Sequence, residues 1–165
     1  MAYHIFLSFR GEDTRNNFTD HLYTALSGAG FRTFRDDDAI ERGNDVKSEL
    51  AKAIKEARSS IVVLSKGYAS SGWCLDELVM ILERRRSSSG AEHVVLPIFY
   101  DVDPSQVRKQ TGSFGKAFGR HEERLNVEAN VSEKECLREK VQAWRQALTQ
   151  VADLAGMVLQ NQADR

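Results

Sequence analysis

Two short segments of this chain lack a polar face. Residues 60–64 are continuously apolar after Ser60, and residues 94–100 form a second, longer apolar run. Because successive side chains of a strand point to opposite sides of its sheet, both strands must be covered on both sides. Such burial is typical of a parallel sheet that lies between two layers of helices. The longer run contains Pro97 and is far shorter than the roughly 20 residues that span a bilayer.

The other apolar residues alternate between strand and helix patterns. Strands are predicted over residues 3–9, 31–35 and 157–159. Helical spacing of apolar side chains predicts five helices. The first starts at residue 13 or 14 and ends at 28–30, the second follows residue 44, and the third covers 72–86. A short fourth helix covers 114–124, and a long fifth helix follows a polar stretch to residue 135 and is stopped by Gly156. The fold class predicted is α/β, with a flavodoxin-like five-stranded parallel sheet in the order 2-1-3-4-5 and helices on both faces.

This strand order also predicts where a ligand would bind. In open parallel sheets, ligands lie outside the carboxyl ends of the strands, at the point where the strand order reverses. That point falls between the first and third strands. It places residues 10–14 on one side of a crevice and residues 65–77 on the other.

Composition and missing motifs exclude several functions. A net charge of −1 argues against broad attraction to nucleic acid or to an anionic membrane. Two cysteines and the lack of a signal-peptide start indicate a reducing compartment, the cytoplasm or the nucleus. The chain has no G-x-G-x-x-G or P-loop fingerprint, no EF-hand loop and no zinc-ligand spacing, so no metal site is expected. A phosphorelay receiver needs an aspartate after the third strand, where this chain has Leu64 and Ser65.

Two segments at the predicted crevice each allow a structural and a functional interpretation. Residues 9–15 are either a tight turn with a helix cap, or a helix start that accepts a phosphate or ribose beside Arg10 or Arg15. In residues 70–78, Ser71 is able to cap the helix, and Glu77 alone is typical of an ordinary glutamate near a helix start. A tryptophan and a cysteine at this helix start are not needed for capping.

Five separate strings, in order, carry a resemblance to a known family. They are SFRGEDTR (8–15), FRD (34–36), WCLDEL (73–78), PIFYDVDP (97–104) and VRKQTGSF (107–114). The chain resembles a plant Toll/interleukin-1 receptor (TIR) domain from about residue 3 to residue 159, as found in intracellular immune receptors with nucleotide-binding and leucine-rich-repeat regions. The resemblance implies a flavodoxin-like fold and an NAD⁺-cleaving activity that depends on self-association and serves plant immunity and cell death.

The resemblance also implies roles for individual residues. The family's catalytic glutamate falls on Glu77, while Trp73 would wall or stack on a substrate ring and Ser71 would hydrogen-bond the ribose. Residues expected near the phosphates or ribose are Arg10, Gly11, Glu12, Asp13 and Thr14. Residues 36–43 either resemble the family's mobile BB loop, with Gly43 as a hinge or close-approach point, or form an ordinary acidic surface loop. NAD⁺ is expected as substrate, with no cofactor.

Self-association is the second implied property, with other TIR domains as partners. The family's serine–histidine pair on the first helix is replaced here by Asp20 and His21. An aspartate there would favour protonated His21 or repel its copy across a twofold axis, which predicts a weak or pH-sensitive contact. Gly156 aligns beside the family's other self-contact, although a helix C-cap explains it equally well.

The rival interpretation is a TIR scaffold without catalysis that signals only by homotypic binding. The presence of Glu77 with Trp73 favours the enzyme. Length predicts a single TIR domain over residues 1–165. The polar residues 160–165 are too short for the family's final helix, which is expected to be missing.

Overall fold

The computed structural model describes residues 3–14, 18–35, 46–87 and 93–159. Strands and helices alternate along most of this length. The strands are β1 (Ile5–Ser8), β2 (Thr33–Arg35), β3 (Ser59–Leu64), β4 (Val94–Tyr100) and β5 (Met157–Leu159). The helices are α1 (Gly11–Thr14), α2 (Phe18–Gly28), α3 (Val46–Glu56), α4 (Gly72–Ser87), α5 (Pro104–Lys109), α6 (Ser113–Val127) and α7 (Val131–Ala152), and a 3₁₀ turn spans Tyr68–Ser70.

All five strands form one parallel sheet in the order β2-β1-β3-β4-β5, which confirms the predicted fold class. The order reverses between β1 and β3. In this pair Ser8, the last residue of β1, lies opposite Val62 of β3. The carboxyl ends of these two strands therefore meet at one edge of the sheet.

Both faces of β3 are buried, which explains why helices cover both sides of the parallel sheet. Val62 and Val63 are both fully buried, yet they belong to different apolar clusters. One cluster includes buried side chains of α3, α4, α6 and α7, and the other is packed by α2. Each buried valine contributes roughly 1.5–3 kcal/mol, so exposing either face of this strand would be costly.

Two predicted helices differ from those observed, and one observed helix was not predicted. The first is divided into α1 and α2, with residues 15–17 outside the described part. Helix α7 begins at Val131, so the prediction that the long helix starts after residue 135 is wrong. Asn130 caps α7 by accepting a hydrogen bond from the Glu133 amide at 3.0 Å. Helix α5 was not predicted; its Asp103 cap accepts from the Ser105 amide at 2.8 Å and is followed by Pro104.

Gly156 does not stop the long helix. Helix α7 ends at Ala152, and its C-cap Asp153 keeps right-handed helical dihedral angles. Gly156 lies against β4 instead, where an added Cβ would be 2.2 Å from the Pro97 carbonyl oxygen. The residue is a glycine because two backbone segments approach closely, and the predicted helix C-cap is wrong.

None of the helices in the described ranges is long and apolar enough to span a bilayer.

Substitution of Gly156 tests this close approach. We expect Gly156→Ala to lower the free energy of unfolding by about 1–3 kcal/mol, because the new methyl group overlaps the Pro97 carbonyl. Urea unfolding of the purified domain measures the change. Gly28→Ala is the matched control, since nothing lies within 4 Å of a Cβ there. Equal stabilities of the two variants would contradict the assignment.

Candidate functional site

Glu77 lies at the edge of the sheet where the strand order reverses. It is in the second turn of α4, and its side chain is only 1% exposed. The Ser8 hydroxyl, at the end of β1, donates a hydrogen bond to Glu77 Oε1 at 2.8 Å. A buried carboxylate is costly unless it is hydrogen-bonded, and Ser8 supplies such a bond from a neighbouring strand.

The Ser8 hydroxyl continues into a buried hydrogen-bonded chain. Its oxygen lies 2.8 Å from the Tyr68 hydroxyl, and Tyr68 donates to the Cys74 carbonyl oxygen at 3.1 Å. Sequence reasoning singled out neither Ser8 nor Tyr68. A usable signal was present for Ser8, since it is a polar residue that ends an otherwise apolar strand at the crevice edge.

Asp13 joins the two sides of the predicted crevice. One of its carboxylate oxygens, Oδ2, accepts hydrogen bonds from the Ser65 hydroxyl at 2.6 Å and from the Gly67 amide at 2.7 Å. A Cβ at residue 67 would be 2.7 Å from the same oxygen, so a larger residue there would force the Asp13 carboxylate to move. Asp13 therefore ties the segment after β1 to the segment after β3, and its contact with a substrate stays a prediction.

The other residues predicted beside Asp13 belong to α1 or directly precede it. Arg10 directly precedes this helix and is partly buried, and Gly11 is its first residue with a right-handed helical backbone. The helical backbone means that a tight turn with a positive φ angle at Gly11 is not formed. Glu12 and Thr14 belong to α1, but their side chains lie outside what the structure describes. Gly43 also lies outside the described residues.

Ser71 and Trp73 are at the start of α4. The Ser71 hydroxyl oxygen accepts a hydrogen bond from the Cys74 amide at 3.1 Å and so caps the helix, as its sequence position predicts. Trp73 is four residues before Glu77, on the same side of α4. It packs against the apolar core, and its indole Nε1 is buried without a hydrogen-bond acceptor in the described part of the chain.

A second layer of side chains fixes the turn that carries Tyr68. His121 Nε2 donates to the Ala69 carbonyl oxygen at 2.8 Å, and Arg120 donates to the Ser70 hydroxyl at 2.8 Å. Burial lowers the pKa of His121, nearby arginines lower it further, and the bond to Ala69 opposes them. The lowered pKa favours the neutral imidazole, and the carbonyl acceptor places a hydrogen on Nε2. Helix α6 thereby holds in place the turn whose Tyr68 contacts Ser8, the hydrogen-bond partner of Glu77.

The predicted self-association residues are separate from this site. Asp20 and His21 are both exposed on α2. Asp20 has a cationic neighbour, because Arg35 at the end of β2 approaches its carboxylate to 3.6 Å while stacking over Tyr23. The charge of Asp20 is therefore partly balanced within its own domain, which reduces the repulsion expected between two copies.

Among the residues that the structure describes, no group of three or more histidine, cysteine or acidic side chains is arranged to hold a metal ion.

Substitution of Asp13 tests the tie between the two loops. We expect Asp13→Ala to lower the free energy of unfolding by about 1–3 kcal/mol, because the Ser65 hydroxyl and the Gly67 amide lose their acceptor. Asp20→Ala is the control, since an exposed ion pair contributes only about 0–1 kcal/mol. Urea unfolding compares the two, and a change no larger than that of Asp20→Ala would contradict the structural role.

Comparisons with known proteins agree on one family. A family model described as "TIR domain" matches residues 2–165. The disease resistance protein RUN1 of Vitis rotundifolia is 53% identical over 98% of this chain, and the TMV resistance protein N of Nicotiana glutinosa is 48% identical over 94%. The chain spans only 11% and 12% of the length of these relatives. The TIR domains in the structure of the activated Roq1 resistosome, which directly recognizes the pathogen effector XopQ, match with a TM-score of 0.81 and 50% identity, over 96% of this chain and 88% of that one.

Proposed function

This chain belongs to the TIR domain family, and on that premise we propose that it cleaves NAD⁺ between nicotinamide and ribose, with Glu77 as the catalytic residue. The observation that carries the proposal is the buried carboxylate of Glu77 at the carboxyl edge of β1 and β3, oriented by the Ser8 hydroxyl. Ligands bind at this edge in open parallel sheets. NAD⁺ is a substrate in this proposal, and no cofactor is needed.

One carboxylate is enough for this chemistry. The bond between ribose C1′ and the nicotinamide nitrogen breaks with its electron pair on the nitrogen, so nicotinamide leaves as a neutral base without protonation. Positive charge develops on the ribose as an oxocarbenium ion, as in glycoside hydrolysis. A water-shielded carboxylate beside the ribose stabilises that charge more strongly than one in water. Water then adds to C1′ and releases a proton.

Several groups near Glu77 are suited to contact the substrate. The cap on α4 uses only the oxygen of Ser71, so its hydroxyl hydrogen is available to a ribose oxygen. Trp73, one turn before Glu77, has a ring that we assign to stacking on the substrate. Arg10 and the α1 backbone are assigned to the phosphates, while Asp13 keeps the two loops at a fixed distance.

The biological role follows from the relatives. They are named as plant disease resistance proteins, and the Roq1 structure is an activated resistosome. We therefore assign this domain to the signalling part of such a receptor, in the cytoplasm or nucleus, where assembly with other TIR domains raises its activity. The 1% exposure of Glu77 supports assembly gating, because a ribose reaches the carboxylate only after neighbouring groups move.

Substitution of Glu77 tests the catalytic assignment. We expect Glu77→Gln to reduce the rate of nicotinamide release by about 10²–10³-fold, because the neutral amide no longer balances the charge on the ribose. Glu83→Gln is the matched control, since it makes the same change on an exposed position of the same helix. Circular dichroism checks that both variants fold. An unchanged rate in folded Glu77→Gln would contradict the proposal.

The concentration dependence of the rate tests assembly gating. We expect nicotinamide release per protomer to rise with protein concentration, because activation requires contacts between copies. Adding folded Glu77→Gln protein to a fixed amount of the unsubstituted domain should also raise the rate, since it supplies contacts without turnover. An equal mass of serum albumin controls for crowding. No turnover at any concentration would support the scaffold function instead.

A further inference from the structure

Three consecutive contacts connect Glu77 to the main chain of its own helix. Glu77 Oε1 lies 2.8 Å from Ser8 Oγ, which lies 2.8 Å from the Tyr68 hydroxyl. The Tyr68 hydroxyl is in turn 3.1 Å from the Cys74 carbonyl oxygen. Ser8 and Tyr68 are both completely buried, so bulk water does not compete for these contacts. We call the three contacts the relay.

The relay has more contacts than hydroxyl hydrogens. Ser8 and Tyr68 each carry one hydrogen, while the Cys74 carbonyl and an ionised Glu77 only accept. With Glu77 ionised, Ser8 donates to the carboxylate, and Tyr68 has one hydrogen to give either to Ser8 or to Cys74. One contact then lacks a hydrogen. All three are hydrogen bonds only when a protonated Glu77 supplies the third hydrogen.

We propose that Tyr68 is a positioning residue that controls the charge state of Glu77 through Ser8. When Glu77 is protonated, its hydrogen points to Ser8, the Ser8 hydrogen points to Tyr68, and the Tyr68 hydrogen points to the Cys74 carbonyl. When the proton leaves to solvent, the Ser8 hydroxyl rotates and donates to the carboxylate. This inference rests on the proposed function only where it assigns Glu77 to catalysis; the relay itself is a property of the fold.

Removal of the Tyr68 hydroxyl has a predictable sign. Of the three relay contacts, Tyr68→Phe keeps the one between Glu77 and Ser8, and this contact is a hydrogen bond in either charge state. The ionised form has therefore lost one hydrogen bond and the protonated form two. The variant favours the ionised carboxylate, so the protonation midpoint of Glu77 moves to lower pH. The phenyl ring stays in the apolar core, where Tyr68 packs.

Other titratable groups surround the relay and stay the same in both proteins. Those on the described segments around it are Arg10, Asp13, Glu49, Lys66, Cys74, Asp76, Asp101, Arg120, His121 and Lys140. Asp13 is bonded to Ser65 and Gly67, and Asp76 to Trp144 and Lys140. Their fields act equally on Glu77 with and without the Tyr68 hydroxyl, so the difference between the two proteins isolates the relay.

The experiment is a titration of the ¹³C-labelled glutamate side chains by NMR in the full chain. Glu77→Gln identifies the Glu77 resonance by its loss. We expect the midpoint of Glu77 to be lower in Tyr68→Phe by about half to one pH unit, the equivalent of one hydrogen bond. Tyr100→Phe is the control, because Tyr100 packs in the cluster on the other face of the sheet. An unchanged or higher midpoint in Tyr68→Phe would overturn the proposal.

A double-mutant cycle separates the relay from a general effect on packing. In a Ser8→Ala background the connection between Tyr68 and Glu77 is cut, so adding Tyr68→Phe should no longer move the midpoint. The same shift in both backgrounds would exclude transmission through Ser8. A purely structural role of the hydroxyl predicts lower stability with no change in the midpoint.

Kinetics distinguish this inference from the proposed function. If the domain cleaves NAD⁺, the acidic limb of its kcat/KM profile should move to lower pH in Tyr68→Phe, together with the NMR midpoint. If no cleavage occurs in any variant, a midpoint shift still supports the relay, and only the proposed function fails. If cleavage occurs while the midpoint and the acidic limb stay fixed, the proposed function stands and the relay fails.

Discussion

Strand β3 has no side that faces solvent, and the rest of the fold depends on this constraint. Val62 and Val63 are fully buried in opposite apolar clusters, so helices must cover both faces of the sheet. Helical crossovers on both faces make the strands parallel and reverse their order between β1 and β3. The reversal leaves the carboxyl ends of these strands without a crossover helix between them. Polar side chains are tolerated at that edge, and it is there that Ser8, Ser65 and Glu77 lie.

Packing of the core does not require a carboxyl group at this edge. A leucine at position 77 would remove the cost of burying a carboxyl group, as α4 already places Leu75 and Leu78 in the core. The chain instead buries Glu77 and uses Ser8, Tyr68 and a helix carbonyl to accommodate it. Buried polar networks of this kind restrict the geometry of their members, because a displacement breaks hydrogen bonds that water does not replace. Burial of Glu77 therefore lowers the stability of the domain but holds a carboxyl group at a defined position.

The sequence was sufficient for features that depend on local periodicity, and insufficient for those that depend on close approach of distant segments. The apolar runs predicted β3 and β4, and the helix start at Ser71 was predicted from its capping residue. Gly156 was misassigned because its reason is a contact with Pro97, far away in sequence. Tyr68 was missed for the same reason, since its hydroxyl meets a residue 60 positions earlier. Asp13 was placed at the crevice correctly, but its bonds to Ser65 and Gly67 follow from tertiary structure alone.

The segments around Glu77 are held in place by hydrogen bonds, and this affects how contacts between copies would activate the enzyme in the proposed function. The Tyr68–Ser70 turn is held by His121 and Arg120, and Asp13 fixes the facing loop. With this frame already formed in a single domain, contacts between copies need not build the catalytic geometry. They need only favour a conformation in which the buried carboxylate is accessible. A hundredfold gain in activity then corresponds to about 2.8 kcal/mol of preference for that conformation, which a small interface supplies. Weak self-association of an isolated domain and strong activation in an assembled receptor are therefore compatible, because linking the domains raises their effective concentration without any new contact.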